Sequence, residues 1–132
     1  MFEAVDRREL RGLYIVGENP AQSEPNSTHV IDMLSGLDHL VVQDLYLTRT
    51  AQLADVVLPA TAWPEKTGTV TNTDRCMQLG RQALRPPGDA RADGWIIEQI
   101  ARRMGLPWAY GIDPFGGEAG VDSVHEEMRS LM

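Results

Sequence analysis

The chain has 132 residues, enough for one ordinary domain, and 42% of them are hydrophobic, so it can bury a core. Nineteen acidic residues against twelve basic ones leave a formal charge of −7, which argues against nucleic-acid phosphate or an anionic membrane surface as a partner. The single cysteine, Cys76, makes no internal disulfide and no iron–sulfur cage, and His29, His39 and His125 have no metal-ligand spacing. No apolar run approaches the ~20 residues needed to span a bilayer. The charged start MFEAVDRREL lacks a signal-peptide core, so the expected setting is soluble and cytoplasmic, although a piece of a longer protein would not carry its parent's signal.

Residues 1–10 place apolar side chains at helical spacing and predict a short helix. LYIVG (13–17) is an apolar run closed by glycine, a buried strand. AQSEPNS reads as a loop. Ser27 or Thr28 can cap a helix through VIDMLSGL, with Gly36 as its stop. HLVVQD (39–44) is a second strand. TRTAQLA gives a short helix with Thr48 as its cap, and DVVLP (55–59) a third strand. The order strand–helix–strand–helix–strand, with crossovers of about a dozen residues, is what parallel pairing needs. Strands that are nearly all apolar predict cover on both faces. The expected fold is therefore α/β: one domain with an open, mainly parallel Rossmann-like sheet and helices on both faces.

Farther along, CMQLGRQAL reads as an extended segment and RPPGDARA as a linker. Asp93 is placed to cap a helix over GWIIEQIARRMG, whose Trp95, Ile96, Ile97, Ile100, Ala101 and Met104 form a broad apolar face. A Gly/Pro-rich loop leads to a last helix, VDSVHEEMRSLM. It reaches the chain end without a stop signal, which predicts a piece of something larger.

In an open parallel sheet, ligands bind outside the carboxyl ends of the strands. Those ends are GENP (17–20), Gln43–Asp44 and the loop after Pro59. Gly17 permits a tight turn, Glu18 and Pro20 shape it, and the Asn19 carboxamide can donate to and accept from a purine or pterin edge. The same four residues also make an ordinary turn. Asp44 can accept from two ribose hydroxyls or from the paired N–H groups of guanine, or it can simply cap a helix. Gln43 can alternate to the other face. Lys66 and Arg75 could neutralise a diphosphate, with Thr69, Thr71 and Asn72 cradling it. The plain alternative is a solvated loop with a cross-strand threonine ladder and a weak Glu65–Lys66 pair. Cys76 reads as a buried small hydrophobe and Trp63 as core or lid packing. There is no nucleophile–base pair, carboxylate dyad, GxGxxG or GxxxxGK[ST]. The residues alone reach an α/β domain that binds a nucleotide-like ligand.

Four blocks in order, LYIVGENPAQSEPNSTHV, LDHLVVQDLYLTRTAQLADVVLPATAW, EKTGTVTNTDR and DGWIIEQIARRMG, resemble the catalytic alpha subunit of molybdenum- or tungsten-dependent formate dehydrogenases, in the dimethyl sulfoxide reductase superfamily. The likeness runs from about residue 2 to 110. It implies a molybdopterin guanine dinucleotide-binding α/β segment over 1–110, with 111–132 as the final loop and helix of the same domain. It also implies cofactor contacts at Asn19, Gln43, Asp44, Lys66 and Asp93. The loop after the third strand would then be a polar collar for a diphosphate-linked dinucleotide. Family members of full length hold the metal between two such dinucleotides (bis-MGD) and oxidise formate to CO2. They carry a cysteine cluster for a [4Fe–4S] centre and a metal-ligating cysteine or selenocysteine, and no motif of either kind occurs here. The chain alone is thus expected to lack both the cofactor and activity. Its implied partners are the remaining domains of the catalytic subunit and its iron–sulfur and electron-transfer subunits. Relatives usually show two arginines where this chain has Arg75–Cys76, so a contact made by the second is not implied.

Three other readings share part of the pattern. The large iron–sulfur subunit of NADH:quinone oxidoreductase has the same domains as a non-catalytic scaffold, but retention of Lys66, GTVTN and Asp93 favours a cofactor binder. Nitrate reductases share much of the pattern. An independent small nucleotide-binding module would be expected to show a phosphate motif.

Overall fold

The computed structural model describes residues 2–131. The chain packs as two compact units, one running through Pro59 and the other from Ala60.

In the first unit, β1 (Gly12–Val16), β2 (His39–Asp44) and β3 (Val56–Pro59) form a parallel sheet in that order, as the apolar runs predict. The register pairs Leu13 with Leu40, Ile15 with Val42, and Val42 with Val57. Alternation puts Leu13, Ile15, Leu40 and Val42 on one face. There they pack with Val30 and Leu34 of helix α3 (Ser27–Ser35) and with Ala51. The opposite face, which the continuous apolar strands predict to be covered as well, leaves Tyr14, Val16 and Val56 39, 37 and 40% exposed.

Local chemistry shifts several expected boundaries. The first helix, α1, is confined to Phe2–Asp6. The expected loop at 21–27 is partly helical, because Pro20 opens a four-residue helix α2 (Pro20–Ser23). The cap of α3 is Asn26, not Ser27 or Thr28. Its Oδ1 accepts from His29 N at 3.3 Å, and its backbone stands outside the helical region. Gly36 ends α3 as expected. The helix expected over TRTAQLA is reduced to one 3₁₀ turn, Ala51–Leu53. Thr48 Oγ1 does accept from Ala51 N, as a cap would, and Thr50 N donates to Asn19 Oδ1.

The second unit contains the antiparallel hairpin β4 (Gly68–Thr71) and β5 (Met77–Gly80), then α4 (Asp93–Arg103) and α5 (Val121–Ser130). Ala92 is the N-cap of α4 and makes no side-chain cap; Asp93 is the first helical residue, where its carboxylate favours the positive helix end. Ile96 and Ala101 are buried as expected, but Met104 lies past the helix as its C-cap and is 74% exposed. Trp63 is 77% exposed in a 3₁₀ turn, not core. Cys76 is exposed rather than buried, because it borders the tip of a hairpin whose central residues are all exposed. Gly116 has φ +83°, and a Cβ there would collide with the Glu65 carbonyl oxygen, so only glycine lets that loop close on Glu65–Lys66. Its carbonyl accepts from Thr67 N at 2.7 Å. Among the described residues, no helix is long and apolar enough to cross a membrane.

Candidate functional site

The carboxyl ends of β1 and β2 lie side by side. Gly17 turns the chain out of β1 with φ +65°, and its N–H donates to Gln43 O at 2.8 Å. Open space surrounds its Cα, so the turn presents bare backbone at the strand end. Asp44 pairs in register with Pro59, which puts all three strand ends on one edge. Its Oδ1 accepts from Leu45 N at 2.7 Å and its Oδ2 from Thr48 Oγ1 at 3.4 Å. A carboxylate offers about four acceptor sites, so these two bonds fix its orientation and leave capacity for a ligand.

Asn19 is more committed. Its Oδ1 accepts from Thr50 N at 3.2 Å and from Thr50 Oγ1 at 2.8 Å, while its Nδ2 donates to Gln22 Oε1 at 3.0 Å. Glu18 beside it is exposed and Pro20 is buried. Gln43 is fully buried and accepts a hydrogen bond from the Tyr14 hydroxyl, on the sheet face opposite α3. Of the residues expected at this edge, Gly17, Glu18, Asn19, Pro20 and Asp44 cluster at the strand ends, whereas Gln43 turns its side chain into the structure.

In the second unit, Lys66 Nζ donates to Thr61 O at 3.0 Å and forms an ion pair with Asp93; both side chains are partly buried. The Glu65–Lys66 pair of the plain alternative is not among the ion pairs of the described residues; the Glu65 carboxylate accepts from Ala62 N and Lys66 pairs with Asp93. Nor is there a threonine ladder: Thr69 faces Leu79 and Thr71 faces Met77. Asn72 and Arg75 lie in the exposed hairpin turn, where Arg75 N donates to Asn72 O at 2.9 Å. Beside the Lys66–Asp93 pair is a cleft of about 240 Å³, walled by Gly94, Ile112, Val124, His125 and Met128. His125 Nδ1 and Thr61 Oγ1 are buried with no hydrogen-bond partner among the described residues.

The sequence reading missed two residues that organise these regions. Thr50 is fully buried and ties Asn19 in place. Glu98, in the middle of α4, is also buried, and its carboxylate accepts from Gly111 N and Ile112 N at 3.3 and 3.2 Å. The available signals were a polar residue amid the apolar face of a helix and a repeated threonine, Thr48 and Thr50, leading into the 3₁₀ turn.

A parallel α/β unit whose glycine turn and acidic residue meet at the carboxyl edge of the sheet has the layout of a cofactor-binding domain. The chain belongs to the molybdopterin oxidoreductase family, whose model matches residues 1–103. YrhE of Bacillus subtilis (strain 168) is 51% identical over 110 residues, which is 83% of this chain and 11% of that protein. The F420-dependent formate dehydrogenase subunit alpha of Methanocaldococcus jannaschii is 48% identical over 124 residues, 94% of this chain and 18% of its own length. Among solved structures, acetylene hydratase from Pelobacter acetylenicus superposes with a TM-score of 0.71 at 28% identity, covering 80% of this chain and 15% of that one. The chain thus spans less than a fifth of the length of each of these relatives.

Proposed function

We propose that this chain is the part of a formate dehydrogenase alpha subunit that holds the guanosine and diphosphate end of one molybdopterin guanine dinucleotide. The observation that carries the reading is the strand edge, where Gly17 offers open backbone and Asp44 keeps spare acceptor capacity. That acceptor fits guanine: a carboxylate can accept from the paired N–H groups of the base, which adenine does not present in the same way. Glu18, Asn19, Pro20 and Gln43 shape and support this pocket. In the second unit, Thr69, Asn72 and Arg75 offer hydroxyl, amide and cationic groups to the phosphates. Lys66 joins them to the extent that it can turn from Asp93 to a phosphate. Residues 1–110 carry these contacts, with the loop and helix of 111–132 as their extension.

When bound, the molybdenum or tungsten of this cofactor supplies the two-electron redox chemistry of formate oxidation to CO2. The residues of this chain orient and bind; none is assigned a proton transfer. The remaining domains of the catalytic subunit and its iron–sulfur and electron-transfer subunits are the proposed partners, in the cytoplasm. Support comes from the family match and from the formate dehydrogenase names of close relatives.

The test is NMR shift mapping of the purified chain with GDP and ADP. A lone chain must order its loops on binding, so dissociation constants of roughly high-micromolar to millimolar are expected, with GDP bound more tightly. Asp44→Asn retains the oxygen that receives Leu45 N but loses one acceptor, and should bring GDP down to the ADP level. Lys66→Ala should weaken both nucleotides alike. Equal shifts for the two nucleotides, or shifts centred away from the strand ends, would overturn the reading. The metal-free chain should show no formate oxidation with a dye acceptor, and turnover above a heat-killed control would also overturn it.

A further inference from the structure

The turn after β1 is fastened from 31 residues along the chain. Thr50 Oγ1 has one proton to give. Its two neighbours settle where it goes: Ala21 N is a donor at 3.1 Å, and Asn19 Oδ1 is an acceptor at 2.8 Å. The hydroxyl therefore receives from Ala21 and donates to Asn19. Thr50 N adds a second bond to the same oxygen, which also sets the orientation of the carboxamide, since an NH2 group there would face the backbone N–H donor of Thr50. Asn19 is the N-cap residue of α2 yet makes no side-chain cap. The threonine from the β2–β3 crossover takes that place by accepting from Ala21, the second residue of the helix. At its other end the turn is fixed by Gly17 N to Gln43 O.

From this geometry we infer that Thr50 is the positioning residue of the Gly17–Pro20 turn, and that base selectivity depends on its buried hydroxyl although it touches no ligand. The inference rests on the guanosine reading above. It also reassigns Asn19, whose side-chain oxygen is occupied by Thr50. What Asn19 offers a ligand is its backbone and one amide hydrogen, so the turn that Thr50 fixes acts by holding the base edge against the Asp44 carboxylate.

The experiment compares the wild-type chain with Thr50→Val, which keeps the shape and removes the hydroxyl, and Thr50→Ser, which restores it. Thr50→Ala, which puts no methyl against the Asn19 oxygen, is the second variant should valine prevent folding. Val30→Ala in the α3 core serves as a control for general destabilisation. The first readout is amide hydrogen exchange of Ala21, expected to quicken about tenfold in the hydroxyl-free variants and to stay near wild type in Thr50→Ser. The second is the ratio of GDP to ADP affinity, expected to collapse toward one without the hydroxyl, to survive in Thr50→Ser, and to survive in Val30→Ala. Unchanged Ala21 exchange, or a preference for GDP that persists without the hydroxyl, overturns the inference. A wild-type chain with no preference for GDP instead overturns the guanosine reading on which it rests.

Discussion

At the edge of the parallel sheet, a turn is held by neutral hydrogen bonds between the buried Thr50 and Asn19; beside α4, in the other unit, the chain is held by the opposite charges of Lys66 and Asp93. The first arrangement is directional and anchored on a fully buried threonine. The Asn19 oxygen takes both Thr50 donors, so its geometry is set before any ligand arrives. The second is partly open to solvent, and its attraction is screened by salt. The strand edge accordingly suits discrimination between similar bases, and the charged region suits a phosphate that can compete for a cation. The comparison separates base selectivity, which should follow the strand edge where Thr50 fixes the turn and Asp44 reads the base, from phosphate affinity, which should follow the charges of the other unit.

The largest expected effect tests whether burial, rather than charge, decides what a polar residue is worth. Glu98 carries a charge like Asp93, but it is buried and serves two backbone amides. Glu98→Ala would leave Gly111 N and Ile112 N without their acceptor, and should destabilise the chain by about 2–4 kcal/mol. Urea unfolding checks this, and a loss under 1 kcal/mol would show that the 110–112 loop re-forms its bonds elsewhere.

A smaller effect is expected at the ion pair. In a double-mutant cycle, Lys66→Met and Asp93→Asn should show a coupling of about 1 kcal/mol at low salt, because both side chains are only partly buried. That coupling should fall by about half in 1 M NaCl, where the screening length is about 3 Å. A salt-independent coupling would mean that the pair behaves like the Thr50–Asn19 contact, and the contrast between the two regions would collapse.

Much of the first unit was legible because its information is local. LYIVG, HLVVQD and DVVLP are mostly apolar runs, and the crossovers between them have the length that parallel pairing needs. The strand ends, and hence Gly17 and Asp44, follow directly. What escaped detection was contact between distant positions. A hydrogen bond from Thr50 to Asn19 or an ion pair from Lys66 to Asp93 leaves no periodic trace in the sequence. The burial of Glu98 runs against the usual behaviour of helix carboxylates, and the returning loop satisfies it through Gly111 N and Ile112 N. Cys76 and Trp63 were misplaced for a related reason. Their types favour burial, but the hairpin and the 3₁₀ turn that carry them offer no layer to cover them.

The smallest expected effect lies at the hairpin tip, where stability and proposed binding pull in opposite directions. Arg75 has φ +63°, in the left-handed region, and its N–H closes a turn onto Asn72 O while Asn72 N donates to Cys76 O at 3.3 Å. A turn followed by a left-handed residue is the hairpin position where glycine is preferred. An L side chain there costs about 1–2 kcal/mol. Glycine would relieve that strain but adds unfolded-state freedom worth about 0.5–1 kcal/mol. Arg75→Gly should therefore stabilise the chain by about 0.5 kcal/mol in urea unfolding, with Arg75→Asn between the two. If the exposed guanidinium serves a phosphate, the same change should weaken GDP and ADP equally and leave their ratio intact. A stabilised variant with a lowered ratio would place Arg75 among the residues that read the base and break the division between base selectivity and phosphate affinity. A destabilised variant would show that the side chain makes a contact that outweighs its backbone strain.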